Sequence, residues 1–423
     1  MNVLIFPGGT EIGLEVRQSL MYCRDVKLFS AAAAGSNHAP FAYNEHYVIP
    51  DITEAGWLDA LESLIQDKSI DYVFGCHEDV LLELVRNDSR LSAAVIAPPL
   101  DVVEAVRSKR RTYGLLQDVV RTPRVYDPAN GDMPFPVFVK PDRGAGSRGA
   151  QLVHDSEQLQ TALSCDEDMI VSEWVPGLEM TVDCFTDRTS GLLYCQPRVR
   201  VRMRNGISMD SYTVTDSRVD LMASAISGAM DLRGAWFFQV RESADSELVL
   251  LEIGARIAGT MAVSRCNGVN LPLLSIYEHE RRPISIAPNE LPVHVDRALV
   301  NRFMLDLEYS TVYVDLDDTL ILDGKVNTAL VGFLYQCFNR GCRIVVLTRH
   351  AGDPDVTLRR YRLSELIDEV RHLSADDAKS SFIDDGDAIF IDDSYGERAD
   401  VHDKTGIPTF DCSMLEILLD GRA

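Results

Sequence analysis

Three short apolar runs near the C-terminal end constrain the fold most: Thr311-Val-Tyr-Val, Arg343-Ile-Val-Val-Leu and Ala388-Ile-Phe-Ile. Each leads straight into polar side chains: Asp315, Asp317 and Thr319 after the first, Thr348 after the second, Asp392 and Asp393 after the third. A continuous apolar run of strand length is what a strand covered on both faces requires. Strands that deliver polar groups only at their C-terminal ends describe an open parallel sheet with one active edge. Carboxylates gathered at such an edge repel one another unless a cation or a basic group compensates them. A binding or catalytic edge therefore explains the pattern better than a purely structural one.

A second constraint is Val137-Phe-Val-Lys-Pro-Asp-Arg-Gly-Ala-Gly-Ser-Arg-Gly149. Val137 and Val139 share one face of a strand, and Phe138 and Lys140 share the other. Pro141 ends the strand because it has no N–H for a ladder. Gly144, Gly146 and Gly149 flank Ser147, and glycine lets backbone N–H groups turn toward phosphate oxygens. Lys140, at the strand mouth, offers a point charge to the same phosphates. A mobile hairpin also fits these residues, and the order is not that of a P-loop, since the lysine precedes the glycines.

Around this stretch the chain alternates. Asn2–Phe6 reads as a buried strand, Glu11–Met21 as a helix with Ile12, Val16 and Leu20 on one face, then strands at Val26–Phe29 and Tyr72–Phe74 with a helix at Trp57–Gln66 between them. That is a small doubly wound α/β unit. Gly8 and Gly13 do not make a dinucleotide fingerprint, because G-x-G-x-x-G is absent. His77-Glu78-Asp79 follows a strand at the end where open sheets bind ligands; the same residues also suit the first turn of a helix. Pro98-Pro99 marks a boundary, and a helix capped by Asp101 is expected to run to about Val119. Strands are expected on both sides of the bend at Pro176-Gly177, and again at Ala235–Val240 and Glu247–Ile253. Arg198, Arg200, Arg202 and Arg204 alternate along one strand, roughly 6–7 Å apart on one face. They serve either as a solvated edge or, in so acidic a chain, as contacts to an anion, with Arg198 and Arg204 expected to matter for catalysis and Arg200 and Arg202 for stability alone.

The 423 residues carry a net charge of −24. Nucleic acid is therefore not an expected partner, because phosphate backbones are bound by surplus Lys and Arg. Nine scattered cysteines, with no C-x-x-C pair, suggest reduced thiols in the cytoplasm. No apolar run reaches membrane-spanning length. The length predicts two to three domains.

Lys109, Lys140 with its glycine-rich loop, Ser-Glu-Trp-Val-Pro-Gly-Leu-Glu at 172–179, Gln239 and Glu252-Ile-Gly-Ala-Arg256 together resemble the ATP-grasp superfamily. The branch most like it is that of carbamoyl-phosphate synthase large chains and related carboxylate–amine ligases. The resemblance spans roughly 1–305 and implies an α/β pre-ATP-grasp domain over 1–100 and an α+β ATP-grasp domain over 101–305. It implies that Lys109 and Lys140 bind phosphates of ATP and that the loop with Gly144, Gly146, Ser147 and Gly149 closes over them; Arg198, from the arginine run, is expected to meet the γ-phosphate or the acidic part of the substrate. By the same resemblance Glu173, Trp174 and Val175 meet the adenine and Glu179 the ribose, Gln239 and Glu252 hold Mg2+ (with Mn2+ as an alternative), and Arg256 stabilises the phosphoryl group in transfer. The family has Glu-x-Asn-Pro-Arg where this chain has Glu252-Ile-Gly254-Ala-Arg256. Gly254 offers no metal ligand, so water, another residue or a weaker second metal takes that place.

The C-terminal runs, with Asp315-Leu-Asp317-Asp-Thr319 as a D-x-D-x-T signature, resemble the haloacid dehalogenase (HAD) superfamily over 306–423. That resemblance implies a doubly wound domain in which Asp315 is the nucleophile, Asp317 the general acid/base, and Thr348 and Lys379 the phosphoryl holders. Asp315, Asp317, Asp392 and Asp393 form the implied metal set. The space between Thr319 and Arg343 leaves room for little more than one helix, Asn327–Arg340, so the domain is expected to be capless. The whole is expected to be a bifunctional enzyme, an ATP-dependent carboxylate ligase fused to a Mg2+-dependent phosphatase. The second expectation is a phosphatase whose grasp region only binds nucleotide or substrate. Expected partners are a small carboxylate, a nucleophile, a small phosphate ester and a second copy of the chain in a homodimer; neither nucleic acid nor membrane is expected.

Overall fold

The computed structural model describes residues 1–130, 133–144, 146, 148–164 and 168–422. Ser147 lies outside the described residues, and its expected role in the glycine-rich loop with it. The chain divides into two compact units, Met1–Leu299 and Val300–Ala423; the sequence reading set the change a few residues later, near Leu305.

The first unit opens with strands β1 (Asn2–Phe6), β2 (Lys27–Ala32), β3 (His46–Val48), β4 (Tyr72–Gly75) and β5 (Ala94–Val95). They form one parallel sheet in the order β3-β2-β1-β4-β5. Helices α1 (Glu11–Leu20), α2 (Trp57–Lys68) and α3 (Glu78–Arg86) connect them. Thr10 starts α1 by accepting from the Gly13 N–H, and His77 starts α3 by accepting from that of Asp79. Each satisfies a donor that the first helical turn leaves open.

The single helix expected from 101 to 119 is two, α4 (Leu100–Arg107) and α5 (Lys109–Leu116). Ser108 between them is extended, and its hydroxyl accepts from the Arg111 N–H and donates to Asp142. A side chain that can bond to the backbone competes with helix continuation. The break brings Lys109 to the start of a new helix.

Strands β6 (Val125–Tyr126), β7 (Val137–Pro141), β8 (Gln151–Val153) and β9 (Met169–Glu173) form an antiparallel sheet in the order β6-β9-β7-β8, with α6 (Ser156–Leu163) after β8. A six-stranded antiparallel sheet follows. It contains β10 (Glu179–Asp187), β11 (Gly191–Arg204), β12 (Ile207–Thr213), β13 (Gly234–Glu242), β14 (Leu248–Gly254) and β15 (His294–Asp296), in the order β14-β13-β10-β11-β12-β15. Helix α7 (Ser217–Ala229) covers one face, closing a core that includes Val182, Val219, Ile226, Trp236 and Phe238. Helices α8 (Ala262–Cys266) and α9 (Leu271–His279) follow β14.

In the second unit β16 (Thr311–Val314) leads into the hairpin β17 (Ile321–Leu322) and β18 (Lys325–Val326), then α10 (Thr328–Asn339) and β19 (Arg343–Thr348). Helix α11 (Pro354–Arg360), β20 (Glu369–His372), β21 (Ala388–Ile391), α12 (Tyr395–Thr405), β22 (Thr409–Phe410) and α13 (Leu415–Leu418) complete it. The sheet is parallel throughout, in the order β20-β19-β16-β21-β22. The three apolar runs are its central strands. No helix of the described residues is long and apolar enough to cross a membrane, and the eight described cysteines are free.

Candidate functional site

Strand pairing in the six-stranded sheet sets out the first site as rows. Glu252 on β14 lies opposite Gln239 on β13, Gln239 opposite Thr181 on β10, and Thr181 opposite Arg198 on β11. Directly paired residues of antiparallel strands share a face, so these four stand in one line across the sheet. The next row runs Gly254, Phe237, Asp183. On the other side of the first row, Glu179 faces Arg241.

Two cavities meet on this surface. The smaller, of about 260 Å3, is lined by Phe138, Lys140, Trp174, Val175, Glu179 and Leu251 among others. Trp174 stacks on Phe138 with ring centroids 5.7 Å apart, and the Arg241 guanidinium lies 4.8 Å from the Trp174 centroid. The larger, of about 1220 Å3, adds Glu11, Glu78, Arg198, Arg256 and Arg297. Lys109, Arg148, Arg200, Gln239 and Glu252 line both. Among the described lining residues of the larger cavity, basic side chains outnumber acidic ones eight to four, in a chain of net charge −24.

Lys140 is buried, with its ammonium 2.8 Å from the Tyr113 hydroxyl and 3.4 Å from the Leu251 carbonyl. Burial first, then the nearby charge of Lys109, bring its pKa down to about 8, with Glu252 and Glu179 opposing. The Lys109 ammonium rests 3.3 Å from the Asp142 carbonyl. Gly146 and Gly206 both have positive φ, +64° and +74°, and a Cβ on Gly206 would lie 2.3 Å from the Gly146 carbonyl carbon. Only glycine lets the loop after β7 approach the β11–β12 turn so closely.

The arginine run divides differently from the expectation. Pairing between β11 and β12 shifts register between Arg200 and Arg202 and again before Met203, and such bulges turn side chains away from a common face. Arg198 and Arg200 are buried and line the cavity. Arg202 is exposed and pairs with Asp296 and Asp210, and Arg204 is exposed. Arg200, read as structural from sequence, therefore lines both cavities, and Arg204 lines neither. Arg200 donates to Glu179, to Gln239 at 2.9 Å and to the Gly206 carbonyl at 2.6 Å. Glu179 also receives Arg241 at 3.0 Å. Glu173 lines the smaller cavity, with its carboxylate bound to Arg121 at 3.1 Å and to the Arg124 N–H at 3.2 Å.

Arg256 is tied to Glu78, the residue that opens α3, and donates to the Ile257 carbonyl at 2.7 Å. Burial raises the Glu78 pKa, and the Arg256 charge and hydrogen bond outweigh it, so the carboxyl sits below its usual range. His77-Glu78-Asp79 is thus both a helix start and a cavity wall, with Asp79 held by Arg107 at 2.7 Å.

Gly254 has a steric reason to be glycine. A Cβ there would meet Cε1 of Phe237 at 2.2 Å, because the two residues are paired across β13 and β14. The Phe237 ring fills the space of a side chain at 254 and carries the Arg256 guanidinium 5.1 Å from its centroid. The oxygen donors facing one another here are Gln239, whose oxygen accepts from Arg200, and Glu252; oxygen donors of this kind suit a hard cation that keeps water.

In the second unit the ends of β16, β19 and β21 converge. Asp315, Asp392 and Asp393 each place an oxygen within 4.8 Å of the others, the one such group of three found among the described residues. The Lys379 ammonium, buried, lies 2.7 Å from Asp315 and 2.6 Å from Asp392. It sits in a short 3-10 turn, Lys379–Phe382. Burial raises the Asp315 carboxyl to about 6, with Lys379 lowering and Asp392 raising it. Three carboxylates against one ammonium leave charge for a divalent cation. Thr348 is buried at the end of β19, and its hydroxyl accepts from the His350 N–H at 3.1 Å. Half-exposed Asp317 is held by the His350 ring at 2.9 Å, and that ring also reaches Thr357 at 2.9 Å. Thr319 is bonded to Asp393 through both partners' donors, at 3.2 and 2.9 Å. The sequence reading missed His350, two residues after Thr348, and Arg398, which donates to the carbonyls of Asp392 and Asp393 at 2.7 and 2.8 Å.

Comparisons with known proteins bear on the first of these sites. The family described as "ATP-grasp in the biosynthetic pathway with Ter operon" matches residues 165–299. A D-alanine--D-alanine ligase of Geobacter sulfurreducens is 31% identical over 83 residues, 19% of this chain; the match spans 26% of that relative's length. Among solved structures, the biotin carboxylase domain of Hydrogenobacter thermophilus 2-oxoglutarate carboxylase, in complex with MgADP and bicarbonate, superposes with a TM-score of 0.57. It is 14% identical, over 69% of this chain and 72% of that one. L-amino acid ligase from Bacillus licheniformis gives a TM-score of 0.55 at 16% identity, over 67% and 75% of the two chains. The first unit, a parallel sheet followed by two antiparallel sheets, shares its fold with these solved structures.

Proposed function

We propose that the first unit is an ATP-dependent carboxylate ligase. The observation that carries this is the row Glu252–Gln239–Thr181–Arg198 at the junction of two cavities that share Lys109 and Arg200. The smaller cavity suits a nucleotide. Phe138, Trp174 and Val175 make an apolar slot for the base, Lys109 and Lys140 neutralise phosphate oxygens, and the loop with Gly144 and Gly146 presents backbone N–H groups. Gln239 and Glu252 would hold magnesium, which would supply positive charge to offset that of the phosphates. An oxygen of the acceptor carboxylate, arriving from the larger cavity, attacks the γ-phosphorus. The bond from that phosphorus to the β-phosphate oxygen breaks, giving ADP and an acyl phosphate. Arg256, pre-positioned by Glu78, faces the charge that develops there. An amine or a similar nucleophile then attacks the acyl carbon, loses a proton, and releases phosphate.

ADP formation over a panel of carboxylates, with hydroxylamine as the trapping nucleophile, tests this. Carboxylate-dependent ADP release with matching hydroxamate is the expected result. Nucleotide binding without ADP release from any acid would leave the grasp unit as a binding module only.

The carboxylate group around Lys379 supports a second activity, a phosphatase of the HAD type in the other unit. In this reading Asp315 attacks phosphorus, Asp317 protonates the leaving oxygen, and water, deprotonated by Asp317, cleaves the aspartyl-phosphate. Asp392 and Asp393, with Asp315, would hold magnesium, and Thr348 and Lys379 the phosphoryl oxygens. A small chromogenic phosphoester with magnesium is the assay.

A further inference from the structure

We infer that the acceptor of the first unit is an acid with a second anionic group, and that Arg198 and Arg297 receive that group. This rests on the ligase reading above. Arg198 and Arg297 line the larger cavity and not the smaller one, so neither belongs to the wall assigned to the nucleotide. Arg198 has a relative exposure of 1%, yet its Nε has no hydrogen-bond partner. Asp183 holds one nitrogen of its guanidinium, and Ser264 donates to the same carboxylate oxygen at 2.9 Å, which fixes the group in place. Among the described residues, the Arg297 guanidinium makes one hydrogen bond, to the Ser208 carbonyl at 3.5 Å. An unsatisfied donor on a buried cation is costly, and an arriving carboxylate or phosphate supplies the missing acceptors in the geometry a guanidinium prefers.

The register also sets a length. Arg198 stands two strands from Gln239 in the row, roughly 10 Å at the backbone for strands 4.7–4.9 Å apart. The reacting carboxylate must lie near Gln239, Glu252 and Arg256, so the second anion is several bonds away rather than one or two. With the Arg198 side chain covering part of that distance, a five-carbon dicarboxylate or a phosphorylated three-carbon acid reaches both groups; a monocarboxylate leaves Arg198 and Arg297 unused.

The test uses the full chain with magnesium and a non-hydrolysable ATP analogue. Calorimetry compares propionate, glutarate and 3-phosphoglycerate. Each dianion is expected to bind at least roughly tenfold tighter than propionate, the worth of one charge-assisted contact. Tighter glutarate names the second group as carboxylate, and tighter 3-phosphoglycerate as phosphate. Arg297→Ala should bring the dianion-to-propionate ratio toward one. Arg198→Lys should do the same, with the thermal midpoint reporting whether this buried site still folds. Equal affinity for all three acids, no measurable binding of either dianion, or an unchanged ratio in Arg297→Ala would overturn the inference. Failure of the nucleotide analogue itself to bind would instead overturn the ligase reading on which it rests.

Discussion

Lys140 is a buried cation whose surroundings set how it would answer a phosphate. Its ammonium is held by two neutral oxygens, those of Tyr113 and Leu251, and burial has brought its pKa down to about 8. The folded value lies below that of a free lysine, so the free protein loses this charge as pH rises through about 8. A phosphate placed beside it favours the charged form and pulls the pKa up again. Nucleotide binding should therefore take up protons, on the order of half a proton at pH 8 from this group, and affinity should fall as pH rises further. Calorimetry in two buffers of different ionisation enthalpy measures the uptake. Lys140→Ala should abolish it and weaken nucleotide binding by roughly 1.5–3 kcal/mol. Unchanged affinity in that variant would remove Lys140 from the site.

At the scale of elements, strand pairing decides what the site contains. Gly254 and Phe237 are opposite one another on β14 and β13, and a side chain on the first requires the ring of the second to move. Gly254→Ala should destabilise the chain by roughly 1–3 kcal/mol, an overpacking cost. In a Phe237→Ala background that penalty should fall to near zero, since contacting residues are not additive. Urea unfolding of the four chains of this cycle reads the coupling; the same penalty in both backgrounds would clear the ring of responsibility. The case also marks what the sequence could and could not disclose. That 254 is glycine where the resembled motif has asparagine was legible, because it is one residue in a spaced motif. Its cause was not, because Phe237 becomes its neighbour only once β13 and β14 take their register. The place of Arg200 on the cavity walls was hidden for the same kind of reason: alternation presumes a regular ladder, and the β11–β12 register shifts. Ser108 was passed over inside a helical pattern, and the short edge strands β3, β5, β8 and β15 carry too few residues for a period to show. The three apolar runs of the second unit announced themselves, since a strand buried on both faces needs nothing beyond its own composition to be recognised.

On the scale of the whole molecule, each unit closes its own hydrophobic cores. The clusters around Trp236, Phe74, Leu4 and Val139 draw only on residues of the first unit, and those around Phe333 and Phe390 only on residues of the second. The charged groups divide in the same way: Lys109, Lys140, Glu252 and Arg256 belong to Met1–Leu299, and Asp315, Lys379, Asp392 and Asp393 to Val300–Ala423. The two proposed activities, assigned to separate sets of side chains, should be separable by single substitutions. Asp315→Asn keeps the size of the side chain and an oxygen to accept from Lys379, whose other partner, Asp392, is untouched. The variant should fold, lose turnover of the small phosphoester, and still form ADP with a competent carboxylate. Glu252→Gln is the reciprocal case: it removes the negative charge facing Gln239, should abolish ADP formation, and should leave the phosphoester rate within about twofold, as expected for sites with no common partners. Both rates are measured on each purified variant, with circular dichroism and the thermal midpoint as the check on folding. If either folded variant lost both activities, the two units would have to be energetically coupled, and the division of the chain into independent catalytic parts would fail.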